Sequence, residues 1–182
     1  PNGGLELGAL TGWTSSQTGG SDACVRTLAT DAPFAGRYHL SVTAMNTNEY
    51  VEVPLVAAEV VLAQSKRVDV AFKVRGASVA GGQVKAQIIE NDGSDNLTTT
   101  TTASAVTLTT SYQSVTVGVT MQADSATAVL RVLMSDEQSA TRNIYIDEMN
   151  CQVTASAADG KNANNLRMAV MGSTLLCVTD RA

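Results

Sequence analysis

The 182-residue sequence predicts an all-β domain of two sheets packed face to face, and three observations carry that reading. Apolar and polar residues alternate with a period of two in one segment after another. Turn signals separate these segments at intervals of roughly 8 to 12 residues, the rhythm of a sandwich or barrel. Acidic segments stand at both ends of residues 1–153: Asn2-Gly3-Gly4-Leu5-Glu6 and Asn143-Ile144-Tyr145-Ile146-Asp147-Glu148-Met149. Their carboxylates meet only if a first and a late strand become neighbours.

Taken in order, the first strand carries Glu6 and leads to Gly12-Trp13-Thr14. After the Ala35-Gly36 turn, Tyr38, Leu40, Val42 and Ala44 share one strand face, which leaves His39 on the polar side. Val51, Val53 and Leu55 share a face in the next strand. Residues 56–64 are ambiguous: Ala57, Ala58, Val61 and Leu62 allow a helical turn, while the flanking β-branched residues favour a strand. Val68, Val70, Phe72 and Val74 make the clearest core strand, with Asp69, Lys73 and Arg75 pointing away. Val84, Ala86 and Ile88 follow the Ala80-Gly81-Gly82 turn, and Asn91-Asp92-Gly93-Ser94-Asp95-Asn96 is a strong turn. The run Thr98–Thr102 suits an exposed edge strand. Val106 and Leu108, then Val115, Val117 and Val119, then Val129 to Met134 and Ile144 to Met149, complete the set. The domain is expected to end at 153, with a connector over 154–165 and an apolar arm over 166–182. That arm needs a groove on its own domain or a neighbouring subunit.

Composition narrows the function classes. A net charge of -5 with only 12 basic residues argues against nucleic-acid binding. No apolar run approaches the roughly 20 residues of a membrane span. Three dispersed cysteines (Cys24, Cys151 and Cys177) form neither a disulfide framework nor a zinc site. They read as buried thiols, with one bridge such as Cys24 to Cys151 left open. His39 is the sole histidine, and the chain has no Gly-x-Ser-x-Gly elbow to pair with it. The expectation is no enzyme.

Asn2-Gly3-Gly4-Leu5-Glu6, Gly12-Trp13 and Tyr145-Ile146-Asp147 together resemble the jelly-roll carbohydrate-binding modules of the xylan- and glucan-binding type. Val68–Arg75 is similar to that family's central strand, and Leu108-Thr109-x-x-Tyr112 to a strand that usually carries Trp where Tyr112 stands. The resemblance implies a jelly-roll sandwich with a structural Ca²⁺ held by Glu6 and Asp147, helped by backbone carbonyls of Gly4, Gly36 and Arg37. The Asp92 loop is a second oxygen-rich cluster, but it lacks the closing Glu of a twelve-residue calcium loop and reads as a solvated turn. Asn96-Leu97-Thr98 formally matches a glycosylation sequon.

Sugar rings pack on aromatic side chains, and aromatics are only 4% of this chain. Tyr38 and Tyr145 read as core or near-core, leaving Tyr50, Tyr112 and Phe34 as platforms. If the Val84 and Val115 strands form one concave face, it displays Lys85, Gln87, Thr116 and Thr120. The candidate carbohydrate residues are Tyr50, Tyr112 and Gln87. Two functions compete. The first is a non-catalytic structural or attachment protein of a bacteriophage virion, at the virion surface, docking on capsid or tail subunits; a third reading joins it to the alternative below, a virion module that holds host-surface glycans loosely. The first draws on the acidic Thr-rich surface, the apolar arm and the absence of a visible leader. The alternative is an extracellular carbohydrate-binding module of a secreted polysaccharide-degrading enzyme.

Overall fold

The computed structural model describes residues 12–16, 25–55, 57–77, 82–94, 96–135, 142–154, 166–171 and 174–179. Two antiparallel sheets account for nearly all of them. The first has the order β1 (Thr14–Ser15), β4 (Tyr50–Pro54), β10 (Thr127–Met134), β6 (Gln83–Asn91) and β7 (Leu97–Thr102), with the short β8 (Val106–Thr107) also on β6. The second centres on the long β11 (Arg142–Thr154). One side of β11 pairs throughout with β5 (Arg67–Gly76), which in turn holds β9 (Gln113–Thr120). Its other side pairs first with β3 (His39–Met45), flanked by β2 (Val25–Ala29), and then with β12 (Leu166–Met171), flanked by β13 (Thr174–Thr179). β12 and β13 thus extend the second sheet.

Strict alternation builds the core. From the first sheet, Val51, Val53, Val84, Ala86, Ile88, Leu130 and Val132 face inward, each fully buried. Leu40, Val42, Val68, Val70, Phe72, Val74, Ile144 and Ile146 meet them from the second. Both sets alternate with solvent-facing residues, as a two-layer sandwich requires. The alternation of β11 changes phase once. Asp147 pairs with Lys73 but Asn150 with Ala71, so β11 carries one extra residue, and Glu148 adopts φ 45° there. This bulge moves the inward set from Ile144 and Ile146 to Met149, Cys151 and Val153.

The segment expected to favour a strand at 56–64 is instead helix α1 (Ala57–Ala63), crossing from the first sheet to the second. Val60 and Ala63, three residues apart, bury against the core while Val61 and Leu62 stay about half exposed. That spacing matches a helix face, and the packing it offers outweighs the strand preference of two valines. Ser65 ends the helix at φ 59°, with its N–H donating to the Met121 carbonyl 3.0 Å away. The Thr-rich run forms β7 at an edge of the first sheet, as expected.

Candidate functional site

The outer face of the first sheet is read from its strand register. Thr14 pairs with Glu52, Glu52 with Arg131, Arg131 with Gln87, and Gln87 with Thr102. One lateral row of polar side chains therefore crosses five strands, a span of about 19 Å at the usual strand separation. Arg131 donates from Nε and Nη2 to Glu52 Oε2 at 3.0 and 2.9 Å. Its guanidinium lies 3.6 Å from the Tyr50 ring centroid. Gln87 Nε2 donates to Thr102 Oγ1 at 3.0 Å. On one side of this row stand Tyr50, Leu133 and Lys85; on the other stand Pro54, Val129, Ile89 and Thr100.

Polar groups in line, flanked by an aromatic ring and aliphatic side chains, match an extended polyhydroxylated chain. Such a face can hydrogen-bond hydroxyl groups through its amide, hydroxyl and guanidinium groups, and can pack C–H surfaces on Tyr50 and its neighbours. Glu52 and Tyr50 hold Arg131 in place before any ligand arrives, which lowers the ordering cost of binding.

The structure brings Tyr50 and Gln87 together on this face, with β10 between their strands. Tyr112 is not with them. It lies against the outer face of the other sheet, because β6 and β9 belong to different sheets; Lys85 and Gln87 are therefore separated from Thr116 and Thr120 as well. Arg131 and Glu52 were missed in the sequence. The signal was an outward-phase charge inside the apolar run Ala128–Met134.

The outer face of the second sheet carries a different cluster, roofed by residues 31–37. Phe34 and Ala35 N–H groups donate to Asp147 Oδ2 at 2.6 and 3.1 Å, and Glu148 N–H to Oδ1 at 2.7 Å. Ala32 and Gly36 turn the roof at φ 50° and 71°. Beneath it, His39 is fully buried, although it lies on the side of the alternation expected to be polar. Alternation does point it outward, but the roof covers it. Its Nδ1 is 2.8 Å from the Tyr112 hydroxyl, and its ring centroid lies 4.5 Å from that of Tyr145. Nε2 stands 3.3 Å from Asp31 Oδ1, outside hydrogen-bonding geometry. Arg75 stacks on Tyr145 at 4.0 Å and lies 5.1 Å from the Tyr112 centroid. Tyr145 therefore packs on the outer face, not in the core between the sheets. Burial holds His39 below its ordinary 6.5; Arg75 pushes the same way, and Asp31 and Asp147 oppose it. Burial likewise raises the Tyr112 phenol. With one nitrogen bonded to a tyrosine and the ring fully buried, this cluster clasps the roof to the sheet.

Asp147 is also the expected Ca²⁺ ligand. It is fully buried, and Gly36 and Arg37 follow directly on the residues that bond it. Three N–H donors already answer its charge, whereas a calcium shell takes roughly six to eight oxygens. Among the described residues no group of three or more His, Cys, Asp or Glu could hold a metal ion. Glu6 and Gly4 lie outside the described residues. At the other oxygen-rich cluster, Asp92 Oδ1 accepts from Ser94 and Asn96 N–H at 2.8 and 2.9 Å. Those bonds, the Asn96 side chain foremost, lower the Asp92 carboxyl, as in a closed turn.

Residues 1–140 match the family model described as a carbohydrate binding domain. This chain belongs to that family. No curated protein matches it. Among solved structures, the CBM22-1 xylan-binding domain from Paenibacillus barcinonensis Xyn10C superposes with a TM-score of 0.65 at 14% identity, over 86% of this chain and 95% of that one. The C-terminal family 22 carbohydrate binding module of Clostridium thermocellum Xyn10B gives 0.63 at 17% identity, over 83% and 90%. The enzymatically active domain of bacteriophage CBA120 tailspike protein 4 gives 0.60 at 14%, over 83% of this chain but only 20% of the tailspike chain. At such identities these likenesses establish a shared jelly-roll fold. The carbohydrate-binding domain described here contains no helix, among the described residues, long and apolar enough to cross a membrane.

Proposed function

We propose that this protein is a non-catalytic glycan-binding module whose binding face is the outer face of the β1-β4-β10-β6-β7 sheet. The observation that carries the reading is the row Thr14–Glu52–Arg131–Gln87–Thr102 beside Tyr50. Family membership supports it, as does the likeness to domains named for xylan binding. The ligand is an extended polysaccharide lying across the strands. The test is affinity electrophoresis in gels containing soluble xylan or mixed-linked β-glucan. Retardation is expected, and Tyr50→Ala and Gln87→Ala are each expected to weaken it at least about tenfold, or about 1.4 kcal/mol. Tyr112→Phe, altered on the opposite sheet, is the control and retains retardation. Unchanged binding in both face variants would refute the assignment of the face.

The tailspike likeness favours a second reading of the setting: a phage virion protein at the particle surface, held by capsid or tail subunits, whose many copies grip host glycans through avidity. Immunogold labelling of purified particles tests it; unlabelled particles favour the extracellular module of a polysaccharide-degrading enzyme. A structural Ca²⁺ is part of the proposal. Asp147 would supply the buried carboxylate, and Glu6 with carbonyls of Gly4, Gly36 and Arg37 the remaining oxygens. The ion would staple the roof to the sheet. A melting midpoint lowered by EDTA and restored by Ca²⁺ supports the ion, and an unmoved midpoint counts against it.

A further inference from the structure

We infer that this face is built for a glycan carrying carboxylate groups, that is, one containing or substituted with uronic acid. The inference rests on the binding face proposed above and concerns what that face selects. Its ground is two cations with unused donors on one face of a chain whose net charge is -5.

Lys85 lies on β6, with Leu133 as its neighbour on β10. Among the described residues its ammonium has no hydrogen-bond or ion-pair partner. Its stem is partly covered beside an aliphatic side chain, a setting in which a lysine carries its ammonium to the edge of the apolar surface. Glu52, a carboxylate on the same face, is already engaged by Arg131. That engagement uses the Nε and Nη2 atoms, so the other guanidinium N–H groups are without acceptors among the described residues.

Arg131 and Lys85 stand on adjacent strands, two residues out of register. This diagonal places them about 7–8 Å apart at the backbone, within reach of one another's long side chains. A carboxylate seated between them would take charge-assisted hydrogen bonds from both, shorter and stronger than a hydroxyl makes. The flanking Tyr50 and Leu133 would carry the ring to which that carboxylate is attached. A neutral glycan would leave the Lys85 charge unanswered.

The experiment compares one glucuronate-substituted xylan with the same polymer after chemical reduction of its carboxyl groups to alcohols, by isothermal titration at low and high salt. The intact protein is expected to bind the acidic polymer about twofold to fivefold tighter at low salt, the range of a partly exposed ion pair. The advantage is expected to shrink at about 1 M salt. In Lys85→Gln the ratio of the two affinities collapses toward one. Equal binding of both polymers by the intact protein overturns this inference and leaves the glycan-binding reading standing. So does a preference that Lys85→Gln does not reduce. Failure to bind either polymer overturns the parent reading instead.

Discussion

Glu90 offers the sharpest test of how the sandwich closes. It follows Val84, Ala86 and Ile88 in the inward phase of β6, and it is fully buried. Its Oε2 accepts from Gln122 N–H at 2.8 Å and Ser125 Oγ–H at 2.5 Å, while Oε1 has no hydrogen-bond partner. Two donors converging on one oxygen use both of its lone pairs. Here they fasten the 121–126 turn, between β9 and β10, over the end of the sheet. Ser125→Ala removes one bond to a charged group, worth about 1.5–3 kcal/mol. Glu90→Ala strands both donors. At about 1–3 kcal/mol for each buried unsatisfied group, its cost should be about 3–5 kcal/mol, allowing the Ser125 hydroxyl to turn elsewhere. Urea unfolding of the two single variants and the double variant closes a cycle. The expected coupling is about 1.5–3 kcal/mol, the charged-bond range again. A coupling near zero would mean that the turn is held by its backbone alone, and the reasoning would fail.

Three further outcomes follow from the same structure. His39 is held below its ordinary 6.5 by burial, so the unfolded chain binds the proton more readily. Stability present above pH 6.5 should be lost as pH falls through 6.5 toward the folded value. Urea midpoints between pH 7.5 and 5.5 should show that slope, and His39→Phe should flatten it; a slope unchanged in the variant counts against the assignment. Asp147→Ala leaves the N–H groups of Phe34, Ala35 and Glu148 without their acceptor. The cost should be about 3 kcal/mol, with faster amide hydrogen exchange at residues 34 and 35; unchanged exchange there would dismiss the clasp. Phe72→Ala, at the centre of β5 with 1% exposure, should cost about 3–5 kcal/mol. A loss under about 1 kcal/mol would show that the packing across the two sheets is loose.

The candidate site was only half legible in the chain. Tyr50 and Gln87 were named on chemical type, and the structure places them on one face. Tyr112, named for the same reason, belongs to the roofed cluster on the opposite sheet. Arg131, Glu52 and Glu90 were not named, although each carries a signal in its phase: a charge in the outward phase of an apolar strand, or an acid in the inward phase. The phase of His39 was also correct, yet its burial was not visible, because the residues that cover it are on a loop with no periodicity to read.

What the sequence determines by itself is the local repeat. Side chains on a strand alternate sides whatever lies next to it, so the sets Val51/Val53, Val68/Val70/Phe72/Val74 and Val84/Ala86/Ile88 were fixed as core by their own spacing. What only the tertiary structure decides is which strands are neighbours. Placing β10 between β4 and β6 assembles Tyr50, Arg131 and Gln87 into one surface, and pairing β9 with β5 sends Tyr112 to the other. Those pairings depend on contacts across long stretches of chain, where burial of a shared face, not the preference of any one residue, selects the partner. The same competition turned residues 57–63 into a helix, since two buried side chains three positions apart outweighed the strand preference of the valines around them.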